Sequence, residues 1–201
     1  MIIYTPIDLP KIEPDNWEVF WDIWNKHKNY LVKTKNNTSL SRTPIGATDL
    51  WLGLDILKKI TGYTTWQAPF FDIKQSLPNM YNSLVTLFPN ATAIRLVESQ
   101  KNFGAHTDDN RNVWHIRAYL HYTSSKSQWY FTKPHDASGN RTYIDLPDET
   151  NWFAYNDLNA WHGTDFDPDN KKILLQVFCT YVPPSLITQS INKYKNYTID
   201  F

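Results

Sequence analysis

The chain has 201 residues, and its 20 Lys and Arg residues balance its 20 Asp and Glu residues. This length fits one domain spanning residues 1–201. Because there is no excess of positive charge, binding to nucleic-acid phosphates or to an anionic membrane surface is disfavoured.

Cysteine usage and the N-terminal residues bear on the cellular compartment. A single cysteine, Cys179, excludes an internal disulfide framework and fits a reducing cytosol. The N-terminal residues lack the basic start and the continuous apolar run of a signal peptide or a membrane helix. We therefore expect a cytoplasmic protein with no membrane partner.

Residues 1–90 have mainly helical patterns and are expected to support the rest of the domain. Asp15 followed by Glu18 has the pattern of a capping box, and large aromatic residues then recur at helical spacing. Gly62 and Pro89 are typical of positions just after a helix. The sequence predicts helices at about residues 15–33, 48–61 and 78–87.

From residue 91 the pattern changes to short β-rich runs separated by turn residues. The expected strands cover residues 92–98, 113–122, 128–132, 141–146, 152–155 and 172–182. Helices followed by many short strands predict an α+β domain, and a jelly-roll (cupin-like) core at residues 91–182 is the expected closed form.

A small group of polar residues could bind a metal ion. His106 and Asp108 are two positions apart, so on an extended strand their side chains point to the same side. His162 lies between Trp161 and Gly163, before the last apolar strand. Two histidines and one carboxylate are the ligand set of non-heme Fe(II) oxygenases. From spacing alone, a rim histidine that bonds a backbone carbonyl is an equally good reading of His162.

The expected strand at residues 113–122 has an apolar face and a polar face. His115, Arg117, Tyr119 and His121 fall on the polar face, which either meets water or lines a ligand cavity. In a cavity, the Arg117 fork would bind a carboxylate by two hydrogen bonds and Tyr119 would add a hydroxyl donor. Lys172, at the start of the last strand, is a candidate for the far carboxylate of an organic acid, with Lys171 in opposite phase.

Four short motifs in the stretch from His106 to Phe178 resemble the aspartyl/asparaginyl β-hydroxylase-like family of 2-oxoglutarate- and Fe(II)-dependent oxygenases. The motifs are His106-Thr107-Asp108, Ile116-Arg117-Ala118-Tyr119-Leu120, Trp152-Phe153-Ala154-Tyr155-Asn156 and Trp161-His162-Gly163, followed by a basic residue ten positions on. The family usually has Arg where this chain has Lys172 and His where it has Tyr119.

The resemblance implies a dioxygenase with a double-stranded β-helix core that uses Fe(II), 2-oxoglutarate and O2 to hydroxylate an unactivated C–H bond. His106, Asp108 and His162 would be the iron ligands at the catalytic centre. Arg117 and Lys172, with Tyr119 beside them, would contact 2-oxoglutarate. The expected partner is an amino acid, a peptidyl residue or another small molecule, and the sequence sets neither the substrate nor the oligomeric state.

Two other functions fit the same residues. One is a jelly-roll module that binds a small ligand, and the other is a zinc hydrolase that uses the same three ligands to activate a water molecule. Trp161 gives a further expectation. If His162 points inward from a strand, Trp161 must point the opposite way, and we expect it to pack under the outer helices.

Overall fold

The computed structural model shows helices packed on one face of a large β-sheet and a smaller sheet on the other face. It describes residues 1–34, 47–53, 70–72, 74–89, 91–99, 102–108, 112–122, 129–136, 138–158, 160–165, 167, 172–179 and 181–201. Within these residues the fold is α+β, as predicted. None of the helices described is both long and apolar enough to cross a membrane.

The described segments contain three α-helices and twelve strands. The helices are α1 (Trp17–Thr34), α2 (Pro78–Leu87) and α3 (Pro184–Lys193). The strands are β1 (Ile2–Pro6), β2 (Ala47–Gly53), β3 (Phe70–Asp72), β4 (Ala91–Ser99), β5 (Phe103–His106), β6 (Trp114–Tyr122), β7 (Trp129–Thr132), β8 (Thr142–Tyr143), β9 (Trp152–Asn156), β10 (Trp161–Thr164), β11 (Lys172–Cys179) and β12 (Ile199–Asp200).

The strands form two sheets. The larger has eight strands in the order β12-β1-β9-β6-β11-β4-β2-β3, and the smaller has four in the order β5-β10-β7-β8. Every pairing is antiparallel except that of β2 with β3, which is parallel. Strand β11 lies between β4 and β6, and its residues 173–177 are all buried, as is typical of a central strand covered on both faces.

Alternate residues of the central strands point to opposite faces of the large sheet and belong to two different hydrophobic cores. On β6, Ile116 and Ala118 belong to the core shared with Phe20 of α1, Leu84 of α2 and Ile187 of α3. The residues of the opposite face lie between the two sheets. That second core contains Tyr4, Tyr119, Trp129, Phe131, Phe153, Tyr155 and Leu174. Large aromatic rings therefore fill the space next to the small sheet.

The alternation of β6 is interrupted near its end. The partners of Ile173 and Leu174 on β11 are His121 and Tyr119, so β6 has one extra residue between them. The His121 ring consequently lies 4.9 Å from the ring of Trp21 on α1, on the helix side of the sheet. The prediction that His121 shares the face of Arg117 and Tyr119 was wrong, because a bulge reverses the phase of the strand.

Asp15 and Asn16, which precede α1, do not form the predicted capping box. Asn16 caps α1, since its Oδ1 accepts hydrogen bonds from the backbone N–H of Glu18 (2.8 Å) and of Val19 (3.2 Å). Asp15 instead accepts from the backbone N–H of Asn79 and of Met80 at 2.8 and 2.9 Å. It therefore caps α2 from a distant part of the chain.

The other sequence predictions of secondary structure had mixed outcomes. The helices at about residues 15–33 and 78–87 are confirmed by α1 and α2. The helix predicted at 48–61 was wrong, because residues 47–53 form β2 and pair with β4; residues 54–61 lie outside the described residues. Tertiary pairing overrode a weak local helix pattern there. No strand or helix was predicted from the sequence at β1, β3, β5, β10, β12 and α3.

Candidate metal centre

The pairing of β5 with β10 brings the two predicted histidine ligands together. His106 is the register partner of His162, and their ring centroids are 4.7 Å apart. Asp108 follows β5 and lies beside both rings. One ligand atom from each of His106, Asp108 and His162 can be chosen so that all three lie within 4.8 Å of one another.

Backbone carbonyls set the orientation of both imidazole rings. Nδ1 of His106 bonds the Gly104 carbonyl, and Nδ1 of His162 bonds the Ala160 carbonyl, each at 2.8 Å. A carbonyl accepts only, so each Nδ1 carries the proton and each Nε2 keeps its lone pair. The bond to the carbonyl is therefore compatible with the metal-ligand interpretation of His162, since it leaves Nε2 available to a metal.

The two Nε2 atoms face the carboxylate. Nε2 of His106 lies 3.9 Å from Oδ1 of Asp108, and Nε2 of His162 lies 3.7 Å from Oδ2. Two imidazole nitrogens and one carboxylate suit Fe(II), Zn(II) or a related divalent ion. The chemistry of this donor set thus fits the metal that the sequence implies.

Burial keeps His162 in the form that binds metals. The side chain of His162 is only 3% exposed, and its ring stacks on Trp129 with the centroids 5.0 Å apart. Burial lowers the pKa of His162 to about 3, although the nearby Asp108 carboxylate acts in the opposite direction. The imidazole is therefore neutral at physiological pH.

Arg117 and Tyr155 hold the carboxylate of Asp108. Nη2 of Arg117 donates to Oδ2 at 2.8 Å, and the Tyr155 hydroxyl donates to the same oxygen at 2.6 Å. Burial would raise the pKa of Asp108, but the charge of Arg117, the proximity of His162 and the Tyr155 hydrogen bond outweigh it and hold this pKa well below its ordinary value. Asp108 is therefore an anion that is available to a cation.

The backbone of Asp108 has its own support. Its N–H donates to Oδ1 of the fully buried Asp157 at 2.8 Å. Asp108, His115 and Asp157 form a second group with donor atoms within 4.8 Å. Since Asp157 accepts the hydrogen bond of the Asp108 N–H, its place in this group is explained by support of the backbone at Asp108.

The small sheet leaves no space for a side chain at residue 163. A Cβ built on Gly163 would lie 2.4 Å from Oη of Tyr130 and 2.6 Å from the Phe103 carbonyl oxygen. Both distances are too short for ordinary contacts, so only glycine fits between β5 and β7 at this position. Its neighbour His162 pairs with His106 on the adjacent strand.

The three residues predicted to contact 2-oxoglutarate, Arg117, Tyr119 and Lys172, lie in different surroundings. Arg117 lies beside the cluster of His106, Asp108 and His162 and contacts Asp108. Tyr119 is buried between the sheets, with its ring 5.5 Å from that of Phe153. The backbone of Lys172 begins β11 opposite Tyr122, while its side chain and the whole of Lys171 lie outside the described residues.

Trp161 does not lie under the outer helices, where the sequence predicted it. It is half-buried on the small sheet, and its ring is 5.5 Å from that of His135. The helices pack on the far face of the large sheet instead. The prediction that Trp161 packs under the outer helices was wrong, because β10 belongs to the sheet that the described helices do not cover.

Three supporting residues were not assigned a function from the sequence. Trp129 stacks on His162, Tyr155 donates a hydrogen bond to Asp108, and Asp157 accepts one from the backbone of Asp108. Tyr155 had a usable signal, since it shares the inward face of β9 with Phe153. For Trp129 and Asp157 the contacts depend on how the two sheets meet, which no local pattern reports.

Two solved structures are distantly similar to this chain. No protein-family model matches the chain, and no curated protein shows significant sequence similarity to it. A prolyl-4-hydroxylase from Pseudomonas putida is similar in structure with 11% identity and a TM-score of 0.36, over 90% of this chain and 95% of that one.

A bsmA homologue from Methylobium petroleophilum PM1 has 11% identity and a TM-score of 0.35, over 83% of this chain and 84% of that one. At these TM-scores neither similarity establishes a shared fold.

Proposed function

We propose that the protein is a cytoplasmic 2-oxoglutarate- and Fe(II)-dependent dioxygenase that hydroxylates an unactivated C–H bond of an amino acid, a peptidyl residue or another small molecule. When bound, the iron would supply the oxidation, with O2 and 2-oxoglutarate consumed and succinate and CO2 released. The protein would supply the ligands and the placement of both substrates.

One observation carries the proposal, namely the meeting of His106, Asp108 and His162 with their donor atoms within 4.8 Å. Three ligands on one side of an octahedral ion leave three positions open. Those positions are enough for a chelating keto acid and O2. The two histidines need no rearrangement of their protons, since each Nδ1 bonds a carbonyl.

Arg117 can serve both the metal ligand and the cosubstrate. A guanidinium has five N–H donors. Within the described residues, the hydrogen bonds of Arg117 to Asp108 and to the Tyr155 hydroxyl both involve Nη2. We assign Nη1 to a carboxylate of 2-oxoglutarate, with Lys172 for the other carboxylate and Tyr119 on the same face of β6 as Arg117.

The proposed fold of the core is a double-stranded β-helix. Supporting it are two facing sheets with an aromatic interior and a ligand pair, His106 and His162, on neighbouring strands of the smaller sheet. The helices α1, α2 and α3 buttress the larger sheet from outside. Sites in such folds lie at the open end of the space between the sheets.

A metal-dependent hydrolase with the same three ligands is the second candidate. It is favoured by the engagement of Arg117 with Asp108, since a cation neutralised by a protein carboxylate has less to offer a dicarboxylate. A hydrolase would use a metal-activated water and would have no need of 2-oxoglutarate.

The test is a screen of free amino acids and peptides for succinate production that depends on Fe(II), 2-oxoglutarate and the candidate substrate. His162→Ala should abolish the product, while His135→Ala, at an exposed histidine outside the cluster, should retain it. Absence of succinate formation with every substrate tested, together with hydrolysis of esters or amides by the zinc-loaded protein, would favour the hydrolase.

A further inference from the structure

Tyr155 and Arg117 converge on one oxygen of the proposed carboxylate ligand. The Tyr155 hydroxyl lies 2.6 Å and Nη2 of Arg117 2.8 Å from Oδ2 of Asp108, and the two donors also contact each other. Donor distances this short are typical of charge-assisted hydrogen bonds. Among the described residues, no side chain or backbone group donates a hydrogen bond to Oδ1 of Asp108.

Both donors are fixed by their surroundings. Tyr155 is fully buried, and its ring stacks on that of His115 with the centroids 5.2 Å apart. The Arg117 guanidinium lies 4.4 Å from the ring centroid of Trp129 and 4.9 Å from that of Tyr155. Its side chain is only 8% exposed. Neither donor can leave Oδ2 without disturbing a packed aromatic cluster.

We infer that Tyr155 and Arg117 are positioning residues that present Asp108 to the metal through Oδ1 alone. A carboxylate that binds through both oxygens occupies two positions of an octahedral ion, whereas one that binds through a single oxygen occupies one. By holding Oδ2, these residues keep a third position open for a reactant. This inference rests on the proposed metal centre and assigns residues outside the His/Asp/His set.

The test removes the Tyr155 hydroxyl and keeps the ring. Tyr155→Phe is compared with Tyr143→Phe, a matched control in which an exposed tyrosine loses a 2.6 Å hydrogen bond to Asp165. The readouts are anaerobic titration with Co(II) and the visible absorption spectrum of the bound Co(II), whose intensity and band positions depend on coordination number and geometry.

The expected result separates affinity from geometry. Tyr155→Phe should bind about one Co(II) per chain with roughly ten- to a hundredfold lower affinity, since loss of a partner of a metal ligand typically costs this much. Its spectrum should differ from that of the parent as Oδ2 becomes free to coordinate, and Tyr143→Phe should match the parent in both readouts. Arg117→Lys, which keeps the charge but not the fork, should change the spectrum in the same direction.

Two outcomes would overturn parts of this account separately. If the parent binds Co(II) and neither Tyr155→Phe nor Arg117→Lys changes the spectrum, the positioning role is wrong and the metal centre stands. If the parent binds no divalent ion, the proposed function itself fails, and the inference fails with it. Should Tyr155→Phe not fold, the spectrum of Arg117→Lys decides the positioning role by the same criterion.

Discussion

Replacement of Gly163 by alanine tests the strand arrangement that brings the two histidines together. The added Cβ would lie 2.4 Å from Oη and 2.5 Å from Cζ of Tyr130, and 2.6 Å from the carbonyl oxygen of Phe103. Tyr130 is itself 1% exposed, so its ring has little room to move away. Relief would require β5 or β7 to shift relative to β10.

The expected cost follows from overpacking. Inserting a methyl group into a closely packed site typically destabilises a protein by about 1 to 3 kcal/mol. For a chain of this size, each kcal/mol lowers the melting temperature by roughly 2 to 4 °C. Because His162 precedes Gly163 and pairs with His106, the same shift should weaken metal binding.

Gly104→Ala is the matched control, because a Cβ there meets no atom within 4 Å. The carbonyl of residue 104 would still accept the hydrogen bond of the His106 imidazole. We expect the control to stay within about 0.5 kcal/mol of the parent, as surface substitutions usually do. Urea unfolding and metal titration of both variants provide the measurement. Equal stability and equal metal affinity of the two variants would refute the close approach of β5, β7 and β10.

Three further predictions follow from the contacts described above. Asp15→Ala should lower the free energy of unfolding by about 1 kcal/mol through loss of the α2 cap, whereas Asp15→Asn should keep most of it in urea titrations; equal losses would contradict capping. Arg117→Ala should weaken the binding of both Fe(II) and 2-oxoglutarate, whereas Lys172→Ala should weaken only that of 2-oxoglutarate. Each affinity should fall by roughly tenfold or more in calorimetric titrations. An unchanged affinity for 2-oxoglutarate in both variants would argue against this cosubstrate. Trp161→Ala should lower the free energy of unfolding by less than the roughly 3 to 5 kcal/mol expected for replacement of the fully buried Trp152 by alanine. An equal loss in the two variants would mean that Trp161 packs in the core.

The sequence predicted those parts of the fold that depend on local patterns. The aromatic stripe after Asn16 identified α1, and alternation along β6 placed Arg117 and Tyr119 on one face. The errors lie where distant parts of the chain decide. Pairing with β4 made residues 47–53 a strand, and an extra residue in β6 moved His121 to the helix side.

In the candidate site too, some residues could be predicted from local sequence spacing and others only from the pairing of distant strands. His106 and Asp108 were detectable because they are two positions apart, and His162 because it precedes the last central strand. The partners that hold Asp108 were less visible. Tyr155 and Asp157 approach it only after β9 pairs with β6. Sequence spacing therefore identified the proposed ligands, and the sheet pairing was needed for the residues that orient them.

The central claim is that His106, Asp108 and His162 bind one catalytic metal ion. Anaerobic titration of the metal-free protein with Fe(II), followed by calorimetry, tests it most directly. The account predicts about one ion per chain for the parent and for His135→Ala, and a large loss of affinity in Asp108→Ala and His162→Ala. Iron binding in Asp108→Ala and His162→Ala as tight as in the parent would contradict it.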